Sequence, residues 1–297
     1  MGRVKEKTHR KIHWGHGVIV VILALIMIIT LYPFLYTFSN SVSDPMATIR
    51  NEVYFWPKGF QLNTYKQVLQ TKSFLTSYAN TIWYTVVGTA VSTAVIFMAS
   101  YPLSRKEFFL RKQLNTLFII TMYFSGGMVP LFIVVNRLGL YDSRWSIILP
   151  VAANVYYMII CRSFMDDIPD SMIESAKLDG ANDLQILKNL ILGVSKPVIA
   201  VLVLFNAVGY WNTYFNAVLY LPSTKLQPLQ IYLNKLLVNN SVKGGGNAVG
   251  QMGLDASLNI HQFKYAAIMV TILPIICVYP FVQKYFVKGV MIGAVKG

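Results

Sequence analysis

The chain has 297 residues, of which 55% are hydrophobic and only 13% are charged. A soluble domain carries roughly a quarter charged residues, so this composition excludes a typical cytosolic enzyme. The abundance of apolar side chains also excludes a disordered chain. The formal net charge is +14, from 26 Lys and Arg against 12 Asp and Glu. In so apolar a chain, this excess favours basic loops beside an anionic membrane face over a nucleic-acid-binding surface.

The N-terminal region predicts a basic tail followed by a membrane helix. Residues 1–17 contain Arg3, Lys5 and Arg10, and residues 18–38 form an apolar run that starts with twelve consecutive apolar side chains. Those twelve residues favour insertion by about 5 kcal/mol in total. The run is too long for the core of a signal peptide, and no clean small-residue cleavage site follows it. We therefore expect a cytoplasmic tail and an uncleaved signal-anchor helix.

Five further apolar runs follow along the chain. Each approaches or exceeds the ~20 residues that a helix needs to cross about 30 Å of hydrocarbon. In the third span, Gly126, Gly127 and Pro130 predict a kinked or loosened helix, and Pro150 lies near the start of the fourth. The sequence thus predicts an all-α membrane protein with six transmembrane helices in residues 18–297. The runs cover residues 78–101, 114–135, 145–165, 197–221 and 265–287.

The distribution of basic residues predicts the orientation of these helices. Arg105, Lys106, Arg111 and Lys112 crowd one short loop after the second span, whereas no basic residue follows the first span before Arg50. Because Lys and Arg are enriched in cytoplasmic loops, the N-terminus is expected inside. Six spans then place the C-terminus inside as well.

The predicted spans lack chemistry of their own. Away from their margins they contain no Asp, Glu, Lys, Arg or His, although ion-driven carriers usually keep carboxylates there and membrane enzymes need acid–base or metal-binding groups. A P-loop is also absent, because Gln251 stands where the lysine would follow Gly245 and Gly250. We therefore expect a chain that is not an enzyme and moves a solute with energy from another chain. An ion-coupled secondary carrier and a channel or scaffold without an ATPase are the alternatives.

The inner loop 166–196 carries the clearest local signals. Ser171 and Glu174 predict a capping box that opens a short helix, and Gly180 predicts its closing turn. A helix pair on the cytoplasmic face suits docking into a partner's groove. The alternative is an interfacial helix on lipid, although such helices are usually basic and this one is acidic. A second short helix is expected, with Asn182 or Asp183 as its cap and an apolar face of Leu184, Leu187, Leu190 and Ile191.

Motifs in this loop and beyond it resemble a known family. Glu174-Ser175-Ala176, Asp179-Gly180-Ala181 and the later Pro197 resemble the EAA loop of ABC-importer permeases. Trp211-Asn212, Phe215 and the tail Phe286–Gly297 resemble the carbohydrate branch, similar to the maltose-importer permeases. The resemblance covers essentially the whole chain. It implies a type I ABC-importer permease fold, N-in and C-in, with a cytoplasmic coupling-helix loop, in a bacterial cytoplasmic membrane.

The resemblance also implies partners and contact residues. The partners are a second homologous permease subunit, two ABC ATPase subunits that bind ATP and Mg²⁺, an extracytoplasmic solute-binding protein, a sugar and membrane lipid, with no nucleic acid and no cofactor in this chain. One departure is Leu192-Gly193, where many relatives have Leu-Pro, so the second coupling helix is expected to end differently. The residues expected to contact an ATPase subunit are Glu174, Ala176, Asp179, Gly180 and Ala181.

Aromatic and amide residues of the fourth and fifth spans suggest a sugar pathway. Sugars stack on aromatic rings and exchange hydrogen bonds with amides. Tyr210 and Tyr214 are four residues apart, which places them on one side of a helix together with the neighbouring Trp211. An interfacial aromatic belt is the alternative. The glycine-rich segment 243–247 of the last outer loop predicts either a flexible reach towards the binding protein or a plain linker. The candidate pathway residues are Tyr210, Trp211, Asn212, Tyr214 and Asn154.

Overall fold

The computed structural model describes residues 14–243, 262–278 and 280, and every regular element in this part of the chain is helical. Short non-α turns cover Leu149–Val151 and Thr224–Leu226 (3-10) and Ile186–Ile191 (π). The α-helices are α1 (Trp14–Val42), α2 (Pro45–Ile49), α3 (Asn63–Gln70), α4 (Lys72–Ser104), α5 (Arg111–Tyr123), α6 (Met128–Arg137), α7 (Trp145–Ile148), α8 (Val155–Asp166), α9 (Asp170–Leu178), α10 (Asp183–Gln185), α11 (Leu192–Val194), α12 (Lys196–Trp211), α13 (Phe215–Tyr220), α14 (Leu229–Lys243) and α15 (Gln262–Val278).

Two of the described helices are individually long and apolar enough to cross a membrane, namely α1 from Gly17 onwards and α4. Three bent pairs meet the same test together: α5 with α6, α7 with α8, and the stretch Asp183–Val194 with α12. α15 is a shorter apolar helix. Most of the predicted tail and the segment 244–250 lie outside the described residues.

The third predicted span is broken where its glycines lie. The chain direction bends by 114° between α5 and α6. Gly127 directly precedes α6 and has φ 88°. Most side chains avoid that left-handed region, whereas glycine adopts it at no steric cost. The expected interruption is confirmed, and it is a sharp reversal rather than a kink. Pro150 similarly lies in the turn between α7 and α8, which are bent by 51°.

The prediction of one helix over 197–221 is wrong, because α12 ends at Trp211 and α13 begins only at Phe215. Two polar side chains stabilise this break. The Asn212 amide donates to the Val208 carbonyl at 2.9 Å, and the Thr213 hydroxyl donates to the Gly209 carbonyl at 3.2 Å. Such bonds offer the backbone an alternative to continuing the helix. Tyr210 and Tyr214 therefore do not share a helix face.

The described residues divide into two compact units. In the first, the loop after α1 folds back on the end of that helix and meets the start of α15. Gln262 is fully buried there, accepting from the Thr64 hydroxyl at 2.6 Å and donating to the Ser43 carbonyl. Saturating a buried amide in this way removes the penalty for burying it. The apolar stretch Val18–Phe38 of α1 is almost entirely exposed in the isolated chain.

In the second unit, α4 packs against α12 and α8. Its C-terminal part contributes Ile96 to an apolar cluster that also contains Met165 of α8, Leu202 of α12 and Ile191 of the π turn. The loop between α8 and α12 is thus part of the same core as the helices that it connects. A second cluster surrounds Tyr84, Tyr210 and Tyr220.

Candidate functional site

The first helix of the loop 166–196 begins differently from the prediction. α9 starts at Asp170, directly after Pro169 (φ −57°), and no side chain caps it. The Ser171–Glu174 capping box is therefore wrong, because the helix begins two residues earlier than a Ser171 cap requires, directly after Pro169, whose ring fixes its φ near the helical value. Asp170 instead supplies negative charge to the first turn, where the helix dipole favours it. The Glu174 side chain remains exposed and forms no ion pair among the described residues.

The end of α9 agrees with the prediction. Gly180 has φ +82°, its N–H donates to the Lys177 carbonyl, and the Ala181 N–H donates to the Ala176 carbonyl, both at 3.0 Å. This is a Schellman motif, which satisfies carbonyls that the helix end leaves open. Ala176 and Ala181 pack against the first apolar cluster, so they lie on the inner side of the loop. Asp179 remains exposed.

The second helix of the loop is capped by Asn182. Its side chain accepts from the Gln185 N–H and its N–H donates to the Gln185 side chain, both at 2.9 Å, so Asn182 rather than Asp183 is the cap. The chain then passes through the π turn to α11, which includes Gly193, and the helix is followed by an 82° bend into α12. A π turn adds a residue to one turn and so rotates the side chains beyond it.

This rotation changes the predicted apolar face. Ile191 is buried, Leu187 and Leu190 pack partly against the apolar cluster, and Ile186 joins them in the core. Leu184 was assigned to the same face but is 76% exposed. That assignment is wrong, because a regular 3.6-residue period does not hold through the π turn.

The tip of the loop presents two exposed leucines, of which Leu178 was not among the predicted contact residues. Leu178 ends α9 and is 89% exposed, and Leu184 lies on the other side of the Gly180 turn. The exposed leucines and the exposed carboxylates of Glu174 and Asp179 thus lie within one stretch of eleven residues around the turn. Exposed apolar surface with a polar rim is typical of protein interfaces. The signal in the sequence was present, since Leu178 lies within the acidic motif.

A short segment after α4, residues 105–108, lies beside α9. Lys106 pairs with Asp170 at 2.9 Å, and Glu107 pairs with Lys177 at 2.5 Å. The hydrogen bond from Lys106 lowers the pKa of Asp170, and the bond to Glu107 raises the pKa of Lys177. Asp170 therefore stays ionised below the pH at which a free carboxyl gains its proton, and Lys177 stays charged above the pH at which a free lysine loses its own. Asp170 and Lys177 are therefore both charged throughout the physiological range.

These elements enclose a cavity of about 670 Å³. Its lining combines side chains of both charge signs with apolar side chains, and Glu174 is one of the lining residues. The lining residues are Met98, Tyr101, Pro102, Arg105, Lys106, Glu107, Phe108, Asp170, Ile173, Glu174, Lys177, Asp183, Leu184 and Leu187.

A second cavity, of about 180 Å³, lies where α8, α12 and α13 meet. It brings together Asn154 and Tyr210, two of the five residues predicted for a sugar pathway. Asn154 also caps α8, and the Tyr210 hydroxyl lies 2.7 Å from the Ser92 hydroxyl. The nine lining residues carry amides, hydroxyls and aromatic rings but no charge: Val151, Asn154, Tyr157, Phe205, Asn206, Gly209, Tyr210, Thr213 and Asn216.

The other three predicted residues do not line this cavity. Trp211 packs edge-on against Tyr78 with ring centroids 5.9 Å apart, Asn212 bonds to its own helix, and Tyr214 is partly exposed beyond the break. Gly209 was outside the predicted set, and no sequence signal marks it, because it contributes only the space left by its missing side chain.

Comparisons with known proteins agree with this architecture. Residues 92–292 match the family described as binding-protein-dependent transport system inner membrane component. The chain is 38% identical to the polygalacturonan/rhamnogalacturonan transport system permease protein YtcP of Bacillus subtilis, over 93% of this chain and 96% of the relative. It is 40% identical to Protein LplC of the same organism, over 91% and 90%. A solved bacterial ABC transporter involved in the import of the acidic polysaccharide alginate matches with TM-score 0.85 and 35% identity, over 96% of this chain and 100% of that chain.

Proposed function

Because the chain belongs to the family of binding-protein-dependent transport system inner membrane components, it is a permease subunit of a carbohydrate-importing ABC transporter in the bacterial cytoplasmic membrane, and we propose that it forms one half of a translocation pore. The other half is a second, homologous permease subunit. Two ATPase subunits that bind ATP and Mg²⁺ lie at the cytoplasmic face, and an extracytoplasmic binding protein delivers the sugar.

The proposed topology has six spans with both termini inside. Support comes from the two long helices, the three bent pairs and the apolar helix α15. The ion pairs between residues 105–108 and α9 support it too, because they join the segment after α4 to the start of the loop 166–196. Four basic residues lie at or next to this segment, which favours its position on the cytoplasmic side.

The tip of the coupling loop is the observation that carries the proposal. Leu178 and Leu184 flank the Gly180 turn, and the exposed carboxylates of Glu174 and Asp179 lie nearby. Apolar anchors with an acidic border suit insertion into a cleft that has an apolar floor and a basic rim. We infer that an ATPase subunit supplies this cleft. Ala176 and Ala181 then support the loop from within, and Gly180 shapes its turn.

The packing of the loop indicates how ATP drives transport. Its apolar residues share a cluster with α4, α8 and α12, so a displacement of the loop moves these helices together. Closure of the ATPases on ATP displaces the docked loop, and the pore changes between its inward-open and outward-open states. ATP binding selects one state only if it has different affinities for the two.

The cavity beside α12 is the proposed contact of this chain with sugar. Amides and hydroxyls exchange hydrogen bonds with sugar hydroxyls, and the rings of Tyr157 and Tyr210 offer apolar faces. We propose an acidic oligosaccharide as the substrate, since the similar proteins named above act on polygalacturonan, rhamnogalacturonan and alginate. The uncharged lining then binds sugar hydroxyls, and the sugar carboxylates are bound elsewhere in the complex.

The proposal is tested with the complete complex reconstituted into vesicles. Uptake of galacturonate and alginate oligosaccharides is measured beside that of neutral malto-oligosaccharides, with ATP depletion and with ionophores. ATP-dependent, ionophore-resistant uptake of the acidic sugars supports the proposal, whereas uptake that ionophores abolish favours an ion-coupled carrier. Glu174→Lys is expected to remove the ATPase subunits from the purified complex. Retention of both ATPases with full uptake would overturn the docking role.

A further inference from the structure

The segment 105–108 and α9 are joined by two ion pairs of opposite polarity. Lys106 pairs with Asp170 at 2.9 Å and the adjacent Glu107 pairs with Lys177 at 2.5 Å. Asp170 and Lys177 are seven residues apart, which is two helical turns, so both face the segment from the same side of α9. The two neighbouring residues therefore reach the two ends of the helix.

The alternating charges specify one register. If α9 were reversed or displaced by two turns, Lys106 would face Lys177, or Glu107 would face Asp170. Like charges brought together in this way disfavour the alternative. The pairing thus fixes both the direction and the axial position of α9 against the segment.

Contacts below the ion pairs attach the same segment to the membrane helices. The Arg105 guanidinium donates to the Met165 carbonyl of α8 at 2.7 Å. Phe108 and Ile173 both belong to the apolar cluster around the inner end of α4. α9 therefore has a connection to α4 that does not pass along the chain through α8 or α12.

The ion pairs are largely exposed, with Lys106 and Asp170 at 77% and 59% and Lys177 and Glu107 at 39% and 77%. Exposed pairs contribute little to the stability of a fold. We therefore expect these pairs to act on position rather than on stability. They hold α9 at one register against the segment that continues α4.

We propose that residues 105–108 form a connector through which the docked helix α9 moves α4, with Lys106 and Glu107 as its positioning residues. The inference rests on the proposed function, since it requires α9 to be displaced by an ATPase. Without the connector, ATP is still hydrolysed, but the displacement of α9 moves α4 only in part.

The test compares single charge reversals with paired swaps in the complete complex in vesicles. Lys106→Glu and Asp170→Lys are each expected to raise the ATP hydrolysed per sugar imported by about three- to fivefold, the range that one exposed ion pair can supply. The double variant is expected to restore the ratio of the unmodified complex. Glu107→Lys, Lys177→Glu and their double variant repeat the test at the second pair. Lys112→Glu is the matched control, because Lys112 is exposed in the same basic stretch and forms no ion pair among the described residues.

The content of ATPase subunits separates this inference from the proposed function. The single variants are expected to keep both ATPases, and Lys106→Gln with Asp170→Asn provides a milder loss of the same pair. Unchanged ratios in the single variants, failure of the swaps to restore the ratio, or loss of the ATPases would each overturn the connector. If Glu174→Lys keeps its ATPases while the connector variants uncouple, the docking assignment fails instead.

Discussion

Tyr210 shows how a single missing side chain positions a candidate sugar contact. A Cβ atom on Gly88 of α4 would lie 2.7 Å from three atoms of the Tyr210 ring, and real Cβ contacts are longer. Tyr210 is buried, and its hydroxyl lies within hydrogen-bond distance of the Ser92 hydroxyl, which is on α4 like Gly88. The ring is therefore held against α4, with one edge in the cavity.

Gly88→Ala is expected to destabilise the protein by about 1–3 kcal/mol through this clash, although alanine favours a helix by about 1 kcal/mol over glycine. The matched control is Gly209→Ala on α12, where a Cβ meets nothing within 4 Å, so only the stabilising helical effect is expected. Thermal unfolding of the detergent-solubilised complex measures both. Equal unfolding temperatures would contradict the tight packing of Tyr210.

Gly180 presents a separate constraint, which is backbone conformation rather than space. Its φ is +82° and a Cβ would meet nothing within 4 Å, so Gly180→Ala is expected to strain the turn by about 1–2 kcal/mol. Gly193→Ala is the control, because Gly193 is helical and equally open. We expect Gly180→Ala, and not Gly193→Ala, to reduce the ATPase content of purified complexes. Similar retention in both would show that the left-handed turn is not needed.

Among the elements, α4 is connected to two distant loops through one buried amide. Asn80 is only 3% exposed. Its Nδ2 donates to the carbonyls of Lys225 and Gln227 at 2.8 and 3.2 Å, and its Oδ1 accepts from Arg144 at 2.9 Å. One side chain thus ties a helix to two loops that are far apart in sequence.

Asn80→Ala is expected to destabilise the second unit by about 2–4 kcal/mol, because it leaves several partly buried groups without partners. Thr76→Ala on the same helix is the control, since its exposed hydroxyl bonds only to the local Lys72 carbonyl. Chemical denaturation in detergent measures the difference. A loss for Asn80→Ala no larger than for Thr76→Ala would show that the loops are held by other contacts.

The sequence predicted elements wherever one local rule decided the outcome. Long apolar runs located α1 and α4, and Gly127 located the break between α5 and α6. The prediction from sequence failed where side chains compete with the helix, at Asn212 and Thr213, and where the π turn breaks the helical period between Leu184 and the leucines that follow it. The capping box expected at Ser171 and Glu174 is absent for another reason. The backbone constraint of Pro169 starts the helix earlier than the weaker side-chain pattern predicts. At the candidate sites, residue types suggested Asn154 and Tyr210, but the empty volume beside Gly209 required the fold.

On the scale of the whole molecule, the proposed sugar cavity and the proposed docking loop 166–196 are expected to respond to different mutations. Asn206 lines the uncharged cavity, and within the described residues its side chain makes one long hydrogen bond, donating to the Thr93 hydroxyl at 3.4 Å. Asn206→Leu is expected to raise the KM for uptake by about two- to tenfold through a lost hydrogen bond, with the ATPase content unchanged. Asn212→Leu, outside the cavity, is expected to have a smaller effect. A larger increase in KM for Asn212→Leu than for Asn206→Leu would place the sugar beside Trp211 and Tyr214 instead of in the cavity.

The docking proposal is tested most directly at exposed residues that contribute little to the stability of the isolated chain. Leu178 is 89% exposed, so Leu178→Ala is expected to change the stability of this chain by no more than about 0.5 kcal/mol. If Leu178 fills a pocket on an ATPase subunit, the same substitution weakens that association by about tenfold or more, which titration of purified ATPase onto the permeases measures. Leu138→Ala is the control, since Leu138 is 67% exposed but lies outside the coupling loop. Equal ATPase affinity for the two variants would mean that the ATPase does not bind the tip of the loop. The carboxylates of Glu174 and Asp179 would then have no role in docking.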